Sequence, residues 1–164
     1  MFTVQSLKNQ YEWAHKSFDL MLDHCNALSN EELYRKLEGF GFNTVWAQLL
    51  HMAECELFWF RIANGQHWIE IGDDDYPDVV ALRGLFTQAR ATAKEYMDQL
   101  SDASVNEPTY VEWEPGEGAN TTPSRVITHV VTHGFHHKGQ VVAMCRLLGH
   151  PAPETDLGVD VHQD

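Results

Sequence analysis

The chain has 164 residues, 43% hydrophobic and 21% charged, which excludes a fibrous, low-complexity or wholly disordered polypeptide. Lysine and arginine number 11 against 24 acidic residues, a formal charge of −13 at pH 7. That balance argues against a nucleic-acid partner and against a polybasic membrane anchor.

The length fits one domain over residues 1–164. In chain order, residues 6–28 carry Leu7, Tyr11, Ala14, Phe18, Met21, Leu22 and Cys25 in three- and four-residue steps, the pattern of an amphipathic helix. Ser29 or Asn30 can cap a short helix over 31–37, and Gly39 and Gly41 break the chain after it. A second long helix is expected from Asn43, as its cap, to Ala63, with Asn64-Gly65 as a left-handed stop. Residues 67–77 read as a loop. Its acidic run at 73–75 lacks the spacing of a calcium loop and reads as a solvated linker. The third long helix covers 78–100, with Leu82, Leu85, Phe86, Ala89, Ala93, Tyr96, Met97 and Leu100 on one stripe. Between 104 and 120 helical periodicity is lost, and Tyr110-Val111-Glu112-Trp113 alternates as a short strand does. Thr122-Pro123 opens a fourth helix that ends near Leu148, before Gly149. The polar, acidic tail 151–164 is expected to be less ordered. Four long amphipathic segments joined by connectors argue an all-α fold, an antiparallel four-helix bundle.

No apolar run approaches the ~18 residues of a membrane span. The N-terminal segment MFTVQSLKNQYEW has no secretory signal pattern. Cys25, Cys55 and Cys145 are widely spaced and odd in number, which disfavours a disulfide framework and points to a cytoplasmic protein.

Ten histidines stand out, four of them between 129 and 137. On a helical wheel of ~100° per residue with His129 at zero, His133 falls near ~40°, Gln140 near ~20°, His136 near ~−20° and His137 near ~80°. The i,i+4 pair His133/His137 places its Cβ atoms ~5–6 Å apart, close enough for two imidazoles to share one divalent ion. One helix comfortably supplies two ligands, so a third must come from elsewhere. His51 is the candidate, because it lies mid-helix in an apolar stretch where an imidazole needs a partner. Three histidines with an open position form the ligand set of a catalytic zinc site. Alternative metal motifs are weaker. The HExxH pattern is absent, and Glu12-xx-His15 is a single match to a motif that di-iron bundles carry twice. Cys55, one turn after His51, reads as a small buried hydrophobe, and Trp46 with Phe58-Trp59-Phe60 reads as core.

The segment His133-Gly134-Phe135-His136-His137-Lys138-Gly139-Gln140 resembles the last-helix signature of the DinB/YfiT-like metalloenzyme family. Leu50-His51 followed by Glu56 and Trp59 is similar to that family's second-helix pattern, and Tyr11-Glu12-Trp13-Ala14 to its first-helix signature. The resemblance runs from about residue 5 to 150. It implies an up-down-down-up bundle holding a divalent metal on His51, His133 and His137. Imidazole ligands suit zinc or nickel as that ion. His129 and His136, additional to the three-ligand pattern, are expected beside the ligands, where either could hold a ligand's orientation. The resemblance also implies thiol chemistry, since the family includes bacillithiol S-transferases and, in a related branch, a mycothiol-dependent isomerase.

Such an ion drives deprotonation of a bound thiol or water. The expected function is a metal-dependent S-transferase joining a small-molecule thiol to an electrophile, or a hydrolase using water activated by the metal. A homodimer is expected, mainly from the resemblance. The alternative reading is a non-catalytic, stress-associated metal-binding protein.

Overall fold

A computed structural model describes residues 1–72 and 75–157. Four long helices dominate: α1 (Val4–Cys25), α3 (Val45–Ala63), α4 (Val79–Asp98) and α5 (Pro123–Leu147). A one-turn helix, α2 (Asn30–Leu33), lies between α1 and α3. A short 3-10 turn (Ser104–Asn106) and an antiparallel hairpin, β1 (Thr109–Glu114) with β2 (Glu117–Thr121), lie between α4 and α5.

Each long helix starts where a short polar side chain accepts an otherwise unpaired backbone N–H. Thr122 caps α5 ahead of Pro123, as the sequence suggests, and Asp78, the expected first residue of the third long helix, caps α4. The cap of α3 is Thr44 rather than Asn43: its hydroxyl accepts from Ala47 N at 3.0 Å, so the helix starts one residue later than expected. The cap of α1 is Thr3, reciprocated by Ser6. This starts the helix two residues early and adds the half-buried Val4 to its packed face. Gly65 takes a φ of +70° where α3 stops, a conformation that β-carbons disfavour. The expected strand at 110–113 forms, and its partner is the next segment of chain.

Helix directions follow from cross-helix contacts. Residue numbers rise in α1 as they fall in α4, through Lys8–Asp98 (2.6 Å), Arg90–Asp19 (2.5 Å) and Arg83–Asp23 (2.5 Å). Numbers rise together in α1 and α5, through Lys138–Ser17 (2.7 Å) and Cys145–Cys25 (4.0 Å). They rise together again in α3 and α4, where Trp46 Nε1 donates to Tyr76 O, just before α4, and Asn64 donates to Thr92 O. The topology is therefore up-down-down-up, not antiparallel throughout. The parallel α3/α4 pair requires residues 64–78 to return along the bundle, about 28 Å for a 19-residue helix at ~1.5 Å per residue. Asp75 in this connector accepts from Gly72 N; Asp73 and Asp74 lie outside the described residues.

All seven stripe residues expected on α1 are buried. They meet Leu49, Leu57 and Phe60 of α3, Leu82 to Met97 of α4, and Ile127, Val141 and Met144 of α5 in two contiguous apolar clusters. The start of the tail is docked rather than loose. Lys138 Nζ, almost fully buried, donates to Thr155 O (2.6 Å) and to Ser17 Oγ (2.7 Å), so an ammonium group that must find acceptors pins the tail. Residues 158–164 lie outside the description. No described helix is long and apolar enough to cross a membrane.

Candidate metal centre

His51 lies mid-way along α3, and His133 and His137 lie one turn apart on α5. Antiparallel packing of these helices brings the three rings together. Ring centroids are 5.0 Å apart for His51–His133, 4.7 Å for His51–His137 and 4.4 Å for His133–His137. One nitrogen from each ring lies within 4.8 Å of the others, so the group can hold a metal ion. His137 is buried and the other two are half-buried.

A buried amide network holds His137. Gln48, one turn before His51 on α3 and fully buried, places Oε1 2.6 Å from His137 Nδ1. The Gln48 Nε2 donates to Phe42 O (2.7 Å) and to Gln140 Oε1 (2.8 Å). Two acceptors around one amide nitrogen settle which end of Gln48 is oxygen. Nδ1 of His137 must therefore carry the proton, and its Nε2 lone pair points at His133 Nε2, 3.1 Å away. Burial, then the charge of neighbouring imidazoles, push His133 and His137 down to about 4. Burial lowers His51 as well. All three rings are consequently neutral at pH 7, the form in which imidazole donates to a metal.

Phe42 stacks on His51 (4.1 Å between centroids, 22° between planes) and covers one side of the group. His129 lies outside the trio, exposed, with its ring 5.1 Å from Trp59 and 5.6 Å from His133. His136 is exposed and contacts Gln140 Nε2 at 2.8 Å, so it joins the same network three hydrogen bonds from His137. Cys55 is half-buried, and burial, then the adjacent Glu56 charge, push its thiol up to about 12. Trp46 and Phe60 are buried core, as expected, whereas Phe58 and Trp59 are only half-buried.

Sequence reasoning placed Gln140 on the histidine arc but gave Gln48 no role. A glutamine one turn before a candidate ligand, in an otherwise apolar run, is the signal that identifies it. A second polar cluster was also missed. Glu56, 3% exposed, accepts from Tyr11 Oη and lies 3.2 Å from His15 Nε2. Arg90 Nε donates to His15 Nδ1 at 2.9 Å while the guanidinium grips Asp19. His15 thus bridges α1, α3 and α4 as a buried structural residue. Glu12 of the single Glu-x-x-His match is exposed.

Fold and site together define an up-down-down-up helical bundle with a three-histidine group suited to a metal ion between its second and fourth long helices. The DinB family model matches residues 1–164, and the chain belongs to that family. Among curated proteins it is similar to the uncharacterized protein YizA of Bacillus subtilis (strain 168), 27% identical over 139 residues, covering 85% of this chain and 84% of that one. It is also similar to the protein DinB of the same organism, 24% identical over 168 residues, covering 87% and 92% respectively. A DinB-like protein of Bacillus cereus ATCC 10987 shares the fold, with a TM-score of 0.65, 16% identity, and coverage of 94% of this chain and 99% of that one.

Proposed function

We propose that the protein is a divalent-metal-dependent enzyme with His51, His133 and His137 as ligands and zinc or nickel as the ion. The observation that carries this reading is the 3.1 Å approach of the His133 and His137 Nε2 atoms, with Gln48 keeping the His137 proton on the opposite nitrogen. In that arrangement a proton or a cation must lie between the two nitrogens, and neutral imidazoles suit zinc and nickel. A bound divalent ion would supply Lewis acidity, stabilising the anionic form of a thiol or of water.

The chain's own residues position and enclose. Gln48 orients His137, and Phe42 covers His51. Cys55 does not serve as nucleophile, because a thiol raised to about 12 is protonated at neutral pH. The sulfur therefore comes from a small-molecule thiol, transferred to an electrophile; hydrolysis by water is the alternative within the same class. The assembly is a homodimer, a reading supported by the half-exposed Trp13 and Leu20 on the outer face of α1.

Elemental analysis after incubation with zinc at neutral pH tests the centre; about one ion per chain is expected. A haloarene assay with bacillithiol, mycothiol, glutathione and coenzyme A tests the reaction, with an ester and amide panel in parallel. His51→Ala and His137→Ala should each abolish the rate while retaining the helical circular dichroism signal. Metal without turnover in any arm leaves a non-catalytic metal-binding protein. No metal overturns the reading. Light scattering that returns a monomer mass at micromolar concentration removes the dimer.

A further inference from the structure

Two of the three cysteines meet at the end of the bundle, away from the histidine centre. Cys25 is the last residue of α1, and Cys145 lies in the final turn of α5. Because these two helices run parallel, their C-terminal turns lie side by side, and the two sulfurs approach to 4.0 Å. Both cysteines are 0% exposed, and both are free thiols. The function proposed above uses neither.

A disulfide bond is about 2.05 Å long, so closure needs an approach of ~2 Å, on the scale of a side-chain rotation with a slight shift of a helix end. Position supplies the freedom for this. The last turn of a helix is where the backbone opens first, and Cys25 is the residue at which α1 gives way to a turn. Both cysteines belong to the larger apolar cluster, so a small oxidant reaches them when these end turns open locally.

We propose that Cys25 and Cys145 are a redox modification site, closing to a reversible intramolecular disulfide when the protein meets a hydroperoxide. One sulfur attacks the peroxide oxygen, the O–O bond breaks, and a sulfenic acid forms as an alcohol or water leaves. The second thiol gives up its proton and its sulfur displaces hydroxide from the sulfenic sulfur, forming the S–S bond; proton and hydroxide leave as water. The two thiols lose two electrons and the peroxide gains them. The shared hydrogen bond, then burial, raise the Cys25 thiol, while the same bond lowers Cys145 against its burial. The bridge ties α1 to the helix that carries His133 and His137, across 120 residues of chain.

The test uses the full chain carrying Cys55→Ser, which removes the half-buried third thiol. Folded protein is treated with hydrogen peroxide, denatured, alkylated and measured by mass spectrometry. The expected result is a loss of about 2 Da, no alkylatable thiol, and one cross-linked peptide pair containing Cys25 and Cys145. Dithiothreitol should restore both thiols, and adding Cys25→Ala should abolish the mass loss. Two alkylatable thiols after treatment overturn the proposal. So does a gain of about 32 Da as sulfinic acid in place of the bridge, or a bridge that forms only when peroxide meets urea-unfolded chain.

Discussion

Replacing Gln48 by leucine tests whether the amide network organises the histidine centre. The two side chains are similar in size, so the substitution removes hydrogen bonds while leaving little cavity. Three contacts disappear: to His137 Nδ1 at 2.6 Å, Phe42 O at 2.7 Å and Gln140 Oε1 at 2.8 Å. The contacts to Phe42 O and Gln140 Oε1 are only part-buried, so water can replace Gln48 at these two. His137 is 6% exposed, and its Nδ1–H loses its acceptor at a cost of about 1–3 kcal/mol. The ring is then free to change tautomer or flip, turning Nε2 away from His133. Loss of a group that orients a metal-binding histidine costs about 10–100-fold in affinity. Urea unfolding of the metal-free protein and zinc titration against a chelating indicator read the two effects separately. A variant that binds zinc within twofold of wild type refutes the reasoning, because it shows that His137 holds its orientation without Gln48.

Gly134→Ala should destabilise the bundle even though alanine favours helix by about 1 kcal/mol. Its new β-carbon would lie 2.5 Å from Phe18 Cζ, in a ring that is itself 2% exposed, and overpacking of this kind costs about 1–3 kcal/mol; an unchanged or raised thermal midpoint counts against it. The metal-free protein should lose stability as pH falls. His133 and His137 sit at about 4 in the fold and 6.5 when unfolded, so between these limits the unfolded chain takes up protons that the folded one refuses. Urea midpoints should therefore fall from pH 6.5 to 4, and fall less steeply over that window in His133→Gln. Cys55→Ser should leave the thiol-transfer rate within about twofold, because a thiol at about 12 supplies almost no thiolate at pH 7; loss of the rate would make Cys55 part of the chemistry.

Much of the architecture was legible in the order of residues, because it depends on neighbours three or four positions apart. The stripes of α1 and α4, the Thr122-Pro123 start of α5 and the Gly65 stop of α3 are local effects of periodicity, capping and backbone freedom. Even the helix starts that shifted, capped by Thr44 and Thr3, moved by only one or two residues, since several nearby hydroxyls and amides compete to accept the same first-turn N–H groups. The His133/His137 pair belongs to the same class: its spacing on one helix is set by 3.6 residues per turn. The parallel course of α3 and α4 depended on a connector whose return path no local pattern records. Which side chains meet His137 depended on it too. The Gln48 amide draws its orientation from Phe42, in the segment before α3, and from His137 and Gln140 on α5. Docking of the tail likewise depended on where Lys138, almost fully buried, found oxygen acceptors. A hydrogen bond between residues 89 apart in sequence leaves no periodic trace in either segment; only packing of the finished bundle selects it.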